Sequence, residues 1–150
     1  MLFFLEAYRT TNEAAYLKDA RAGADFLIAS LADEKETGLY VGIAGIGFAL
    51  LETYKATGDE KYKQAAIRVT QRLKESAKTI DVRPQSRRFI RGVEWNDTTD
   101  IIAGSAGIGL FLLYAAKELG DSSLRLLAAE AGTSLIASGK PEAGGTKWAM

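Results

Sequence analysis

The chain has 150 residues, a length typical of one domain, and its 19 Lys and Arg residues balance its 19 Asp and Glu residues. A net charge of zero gives no electrostatic reason to expect binding to nucleic acid or to a membrane surface. The composition, 47% hydrophobic and 25% charged, is that of a globular protein. Cys and His are both absent, which excludes disulfides, a thiol nucleophile, a Ser-His-Asp triad and zinc ligation by thiolate or imidazole within this chain.

The apolar stretches of the chain are too short for a membrane span. Its first residues, Leu2 to Leu5, are followed by Glu6 and lack the basic flank and the cleavage site of a secretory signal. The longest uncharged stretch, residues 101–116, is shorter than the roughly 20 apolar residues that cross a bilayer. We therefore expect a cytoplasmic protein without a membrane span.

An internal repeat organises the chain. Residues 42–47 read Gly-Ile-Ala-Gly-Ile-Gly, and residues 104–109 read Gly-Ser-Ala-Gly-Ile-Gly, at an offset of 62. The likeness continues through an apolar run to a Gly-Asp pair, at residues 58–59 and again at 120–121. A further copy, which lacks the glycine loop, begins near Leu2 and aligns with the residues from Phe48 onward at an offset of 46. Such self-similarity predicts a repeat architecture, with units at approximately 1–32, 38–77 and 100–139.

Each unit predicts a helical hairpin. Its first helix is apolar on most sides, as in residues 48–54, which is typical of a helix covered all round. Gly58 is expected to end this helix in the left-handed conformation, and Asp59 to cap the next one. The second helix carries one apolar stripe, formed by Tyr62, Ala65, Ala66, Val69 and Leu73, beside charged side chains expected to be solvated: Lys61, Lys63, Arg68, Arg72 and Lys74.

Stacking of these hairpins predicts an all-α fold, a ring or solenoid of inner and outer helices, because one hairpin cannot bury both of its faces. The tyrosines that recur at repeat positions are expected in the core: Tyr8, Tyr16, Tyr54 and Tyr62. Because the chain begins inside a repeat, we expect an internal segment of a longer repeat protein, with exposed apolar surface at both ends that favours self-association. A complete small helical domain is the alternative.

The two glycine segments, 38–47 and 100–109, each with its apolar helix and Gly-Asp turn, resemble the lanthionine synthetase C-like family, as does the Gly and Trp pattern at 145–148. The resemblance covers nearly the whole chain. It implies an α/α toroid of the six- or seven-hairpin type, of which about three hairpins are present here. The best-known members are cyclases that add a peptide cysteine thiol to dehydroalanine or dehydrobutyrine. A dehydrated precursor peptide or a small thiol, and a dehydratase domain or protein, are the implied partners.

The resemblance also implies a zinc ion held by two Cys and one His. This chain contains neither residue type, so it is not expected to catalyse the reaction by itself. Two explanations stay open: the ligands lie in later repeats, or the protein is a relative without zinc.

Asp100 is the candidate catalytic residue. It lies four residues before Gly104, where the family carries an Asp in its central cavity, and the resemblance implies a role in proton transfer. The alternative is an N-cap of the following helix. Six further residues are candidates for substrate binding, because glycine permits close approach and aromatic side chains can line a cavity: Tyr40, Gly42, Gly45, Gly104, Gly107 and Trp148. The alternatives are that the glycines serve close helix packing, and that Trp148 and Trp95 pack loops onto helices.

One charge cluster, formed by Arg83, Arg87, Arg88 and Arg91, lies in the connection between the second and third hairpins. It could bind an acidic leader peptide or another anion, and the alternative is a solvated loop. Two other functions stay open. A carbohydrate-active toroid, a glycoside hydrolase or epimerase, needs paired carboxylates, for which only Asp97 and Asp100 stand near each other in the sequence. A non-catalytic scaffold would bind peptides on its concave face.

Overall fold

Six α-helices form three consecutive hairpins in the part of the chain that the computed structural model describes, residues 1–82 and 90–148. They are α1 (Leu2–Thr11), α2 (Ala14–Ser30), α3 (Ile43–Thr57), α4 (Glu60–Ser76), α5 (Ser105–Leu119) and α6 (Ser122–Ser138). The helices fall inside the three repeat units, and the all-α class is confirmed. Closure of further hairpins into a ring stays a prediction.

The helix boundaries repeat as the sequence indicates. Gly58 and Gly120 end α3 and α5 in the left-handed conformation, with φ of 69° and 70°. The carboxylates of Asp59 and Asp121 then accept the backbone N–H two residues later and cap α4 and α6. In the first hairpin Asn12 takes the glycine's place, with φ of 58°. A left-handed residue therefore ends the first helix of all three hairpins, whereas the aspartate cap occurs only in the second and third, because Glu13 makes no side-chain cap on α2.

Helix α3 packs between α1 and α5 and also against its own partner α4. The predicted stripe of α4 is fully buried, from Tyr62 to Leu73. Of the four repeat tyrosines only Tyr62 is fully buried, whereas the other three are half-buried. Arg72 is not simply solvated: its guanidinium donates hydrogen bonds to the backbone carbonyls of Leu31 and Glu34 and ties the α2–α3 connection to α4.

A β-hairpin occupies part of the connection between α4 and α5, where the sequence suggested an irregular loop. Strands β1 (Lys78–Val82) and β2 (Ile90–Glu94) pair antiparallel, and β2 lies against α6. Gly92 makes this approach possible, because a Cβ there would lie 2.8 Å from the Val82 side chain and also meet Ser134 of α6. The expectation of a loop was wrong because burial against α6, which is remote in sequence, stabilises two short strands.

The arginine cluster is described only in part. Arg91, on β2, forms an ion pair with Glu130 of α6 at 3.2 Å, while Arg83, Arg87 and Arg88 lie outside the described residues. A second, exposed hairpin, β3 (Lys140–Glu142) with β4 (Gly145–Lys147), follows α6. Among the helices described here, none has both the length and the apolar character needed to cross a bilayer.

Candidate functional site

The two glycine loops lie side by side where α3 and α5 begin. The backbone N–H of Tyr40, in the first loop, donates a hydrogen bond to the carbonyl of Ile102, in the second, at 2.9 Å. A Cβ on Gly38 would lie 2.6 Å from the Cα of Ala103, so the two backbones are in direct contact. The two loops are thus in direct backbone contact at the N-terminal ends of the two helices.

The four candidate loop glycines meet their own backbone rather than open space. A Cβ on Gly42 would lie 2.6 Å from the nitrogen of Gly38, and one on Gly104 would lie 2.6 Å from the nitrogen of Asp100. Gly45 and Gly107 would likewise collide with the loop that precedes each helix. This geometry favours the packing interpretation of the glycines, and no observation tests their role in substrate binding.

Asp100 organises the second loop rather than capping the helix. Its Oδ1 accepts the backbone N–H groups of Ile102, at 2.6 Å, and Ala103, at 2.9 Å. Helix α5 begins only at Ser105, with Gly104 as its cap residue and no side-chain cap, so the N-cap alternative was wrong. The backbone hydrogen bond from Ala103 is the main cause that holds the pKa of Asp100 below its ordinary value. Asp100 is therefore an anion at neutral pH, in a fixed orientation.

An apolar cleft of about 770 Å³ opens beside the first glycine loop. Leu2, Phe48 and Leu110, which occupy equivalent positions in the three repeats, all line it and come from α1, α3 and α5. Tyr40 lines it with a side chain that is 70% exposed. We call this space, with its lining from α1, α2, α3, α5 and the first glycine loop, the apolar cleft.

The candidate residues divide between this cleft and other places. Tyr40, Gly42 and Gly45 line the cleft, whereas Asp100, Gly104 and Gly107 lie in the neighbouring loop and the start of α5 and are not among its lining residues. Trp148 lies elsewhere, and its indole N–H donates to the carbonyl of Leu135 on α6 at 2.6 Å. The structure thus brings together three of the seven candidates.

A polar cluster that sequence reasoning missed joins α1, α3 and α5. The carboxylate of Glu52, whose side chain is 12% exposed, accepts hydrogen bonds from Arg9 at 2.6 Å and from Lys55 at 3.1 Å. It also accepts the hydroxyl of Tyr114, whose ring lines the apolar cleft. Glu52 and Tyr114 stand 62 positions apart, the repeat offset, so comparing aligned positions for polar residues on the first helix of each unit could have found the pair.

These contacts determine the protonation states of Glu52 and Tyr114. Burial alone would raise the pKa of Glu52, but the hydrogen bonds from Tyr114, Arg9 and Lys55 together outweigh it and lower the pKa to about 2. Burial and the neighbouring Glu52 carboxylate raise the pKa of the Tyr114 phenol. Glu52 stays anionic and Tyr114 neutral near pH 7, so the pair is a permanent hydrogen bond and not an acid–base couple at that pH.

The residues of this chain do not fit the zinc centre that the family resemblance implies. The sequence has no Cys and no His, the ligand types of that centre. Within residues 1–82 and 90–148 no group of three or more acidic side chains is placed to hold a metal ion either.

Comparison with protein families gives a match that covers nearly the whole chain. The family model described as lanthionine synthetase C-like protein matches residues 1–148. No curated protein and no solved structure matches the chain. The family match includes both glycine loops and all three described hairpins. The chain therefore belongs to the lanthionine synthetase C-like family.

Proposed function

We propose that this protein acts in the formation of thioether rings, by addition of a peptide cysteine thiol to dehydroalanine or dehydrobutyrine. The family match over residues 1–148 is the observation that carries the proposal. In this reaction a sulfur–carbon bond forms at the β-carbon, the thiol loses its proton, and the α-carbon gains one. The reaction therefore needs a surface that binds the peptide and groups that handle protons.

Asp100 is the residue of this chain that we assign to proton transfer. Two backbone N–H groups hold its Oδ1, at 2.6 and 2.9 Å, so the carboxylate has a fixed direction. Its lowered pKa keeps the carboxylate ionised but makes it a weak base, so the assignment rests on its fixed position and not on a matched pKa. Its loop is hydrogen-bonded to that of Tyr40, which lines the apolar cleft, so the carboxylate belongs to a loop adjoining the proposed peptide surface.

Formation of the thiolate is not assigned to any residue of this chain. The family's zinc would lower the pKa of a bound thiol, but the Cys and His ligands it uses do not occur among these residues. What the chain contributes to the proposal is binding and orientation of the peptide together with the carboxylate of Asp100.

The test uses a synthetic peptide that carries one cysteine and one dehydroalanine. The protein is incubated with it, remaining thiols are alkylated with iodoacetamide, and mass spectrometry gives the fraction that can no longer be alkylated. This chain alone is not expected to form the thiolate, so the assay is run on the protein at its full length with Zn²⁺ supplied. We expect that protein to accelerate loss of the thiol over buffer, and Asp100→Asn in it to slow the loss roughly 100-fold, the size of a typical acid–base contribution. A wild-type rate equal to that of buffer would refute the cyclase proposal.

The matched control is Asp97→Asn, which changes an exposed acid three residues away in the same connection. We expect its rate to equal the wild-type rate. If Asp100→Asn behaves like this control, Asp100 has no part in the proton transfer, even if the protein is a cyclase.

A second candidate function, peptide binding without catalysis, is favoured by the apolar cleft together with the absence of Cys and His. It predicts retention of the dehydrated peptide with no loss of thiol in the same assay. The carbohydrate alternative receives no support from the cleft, because its described lining carries a single carboxylate, that of Glu34, and not a pair.

A further inference from the structure

The floor of the apolar cleft presents ring surface rather than a free hydroxyl. The hydroxyl of Tyr114 is directed to the carboxylate of Glu52, which Arg9 and Lys55 hold in turn. The ring of Tyr114 packs against that of Phe48 with centroids 4.8 Å apart. An occupant of the cleft therefore meets two aromatic rings held by a hydrogen-bonded support, which suits an apolar group.

The walls carry large apolar side chains that face solvent. Phe26 of α2 is 72% exposed, Tyr40 is 70% exposed and Leu110 of α5 is 50% exposed, and all three line the cleft. Removing apolar surface from water is favourable, so a large apolar side chain placed among them would be bound favourably.

One edge of the cleft is electronegative. Glu34 lines it, just beyond the C-terminal end of α2, whose carbonyl groups carry the negative end of the helix dipole. Asp33 and Glu36 belong to the same short connection, which also contains Lys35. The Oε1 of Glu34 accepts the backbone N–H of Glu36 at 2.9 Å. The guanidinium of Arg72 donates to the backbone carbonyls of Leu31 and Glu34, and among the described contacts no hydrogen bond joins it to the Glu34 carboxylate. This edge complements a positive charge.

We propose that the apolar cleft binds a peptide segment in which a large apolar side chain adjoins a lysine or arginine. The apolar side chain enters the cleft over Phe48 and Tyr114, and the cation lies at the edge formed by Glu34. The inference rests on the proposed function, because it names one recognition element of the peptide that the reaction would use. It requires no cysteine and no dehydrated residue, so it can be tested apart from the chemistry.

The experiment measures binding of fluorescein-labelled peptides to the chain by anisotropy. The probe is acetyl-Gly-Phe-Lys-Gly-Gly, compared with peptides in which Ala replaces Phe or Glu replaces Lys. We expect each replacement to raise the dissociation constant at least tenfold. Equal binding of the three probes would refute the proposal.

Matched variants locate the binding. Leu110→Asp, in the lining, should weaken binding of the Phe-Lys probe at least tenfold, whereas Leu126→Asp should not, since Leu126 is a 68% exposed leucine of α6 outside the cleft. Tyr40→Ala removes a 70% exposed side chain from the lining and introduces no charge, and it should also weaken binding of the Phe-Lys probe. Glu34→Gln should remove the preference for Lys over Glu, and Glu75→Gln, an exposed acid of α4, should leave it intact.

Two further outcomes are decisive. If sedimentation shows a dimer that Leu110→Asp dissociates while probe binding is unchanged, the cleft is an interface between two copies of the chain and the proposal is overturned. If the probes are discriminated as expected but no thiol is lost in the cyclisation assay, the proposed cyclase function fails and the peptide site stands.

Discussion

Replacement of glycine by alanine should destabilise the protein at Gly47 and stabilise it at Gly109, although the two glycines occupy equivalent positions of the repeat. Gly47 of α3 and Gly109 of α5 stand 62 residues apart, each in the first half of its helix. A Cβ on Gly47 would lie 2.8 Å from Cγ1 of Val69 and 3.0 Å from Cε2 of Phe111, both buried side chains. A Cβ on Gly109 would meet only the Cβ of Ala131, at an ordinary 4.0 Å.

The magnitudes follow from two opposing effects. Alanine in place of glycine inside a helix stabilises by roughly 0.5–1 kcal/mol, because less backbone entropy is lost on folding. At Gly47 the added methyl must displace Val69 and Phe111 in a packed core, which costs about 1–3 kcal/mol. We therefore expect Gly47→Ala to lower the free energy of unfolding by about 1–2 kcal/mol, and Gly109→Ala to raise it by about 0.5–1 kcal/mol.

Urea denaturation followed by far-UV circular dichroism measures both variants against the wild type. The midpoints should move in opposite directions at an unchanged slope, because a change in slope would indicate a different unfolded or native ensemble. If Gly47→Ala is as stabilising as Gly109→Ala, the packing of α5 against α3 and α4 at Gly47 is not as described, and the contact of Phe111 with that glycine is refuted.

Substitutions at three other positions test the helix boundaries and the polar cluster around Glu52. The pKa of Glu52 is about 2 in the folded chain against an ordinary 4.5, so its stabilisation is complete above about pH 4.5 and is lost as the pH falls toward 2. Thermal melts from about pH 6 to 2 measure this effect. Over that pH range the free energy of unfolding should fall by on the order of 2 kcal/mol less for Glu52→Gln than for the wild type. Parallel curves for the two proteins would contradict the depressed pKa. Asp121→Ala should cost about 1 kcal/mol by removing the cap of α6, and Asp121→Asn less, since Asn also caps helices; equal losses in urea titrations would mean that the contact with Lys74 dominates. Gly58→Ala should cost about 1–2 kcal/mol because φ is 69° there, and an unchanged melting temperature would be inconsistent with that backbone conformation.

The sequence by itself determined the helical hairpins and their turns. The 62-residue offset, the Gly-Asp pairs and the stripe from Tyr62 to Leu73 are local or periodic signals, and the structure has helices, left-handed glycines and buried side chains at those places. Helix caps and one-sided apolar stripes depend on residues within one or two turns of each other, so a single sequence contains the information that specifies them.

Tertiary structure decided which polar residues meet. Asp100 was predicted as a helix cap or a proton carrier. The path of the second glycine loop directs its carboxylate to the loop's own backbone N–H groups, which excludes the cap, and the role in proton transfer stays a proposal. The contact of Glu52 with Tyr114, the hairpin of β1 and β2, and the apolar cleft all join segments distant in the chain. The repeat offset aligns Glu52 with Tyr114, but their contact, like the other two features, depends on how the three helical hairpins pack, which the local pattern of no single helix specifies.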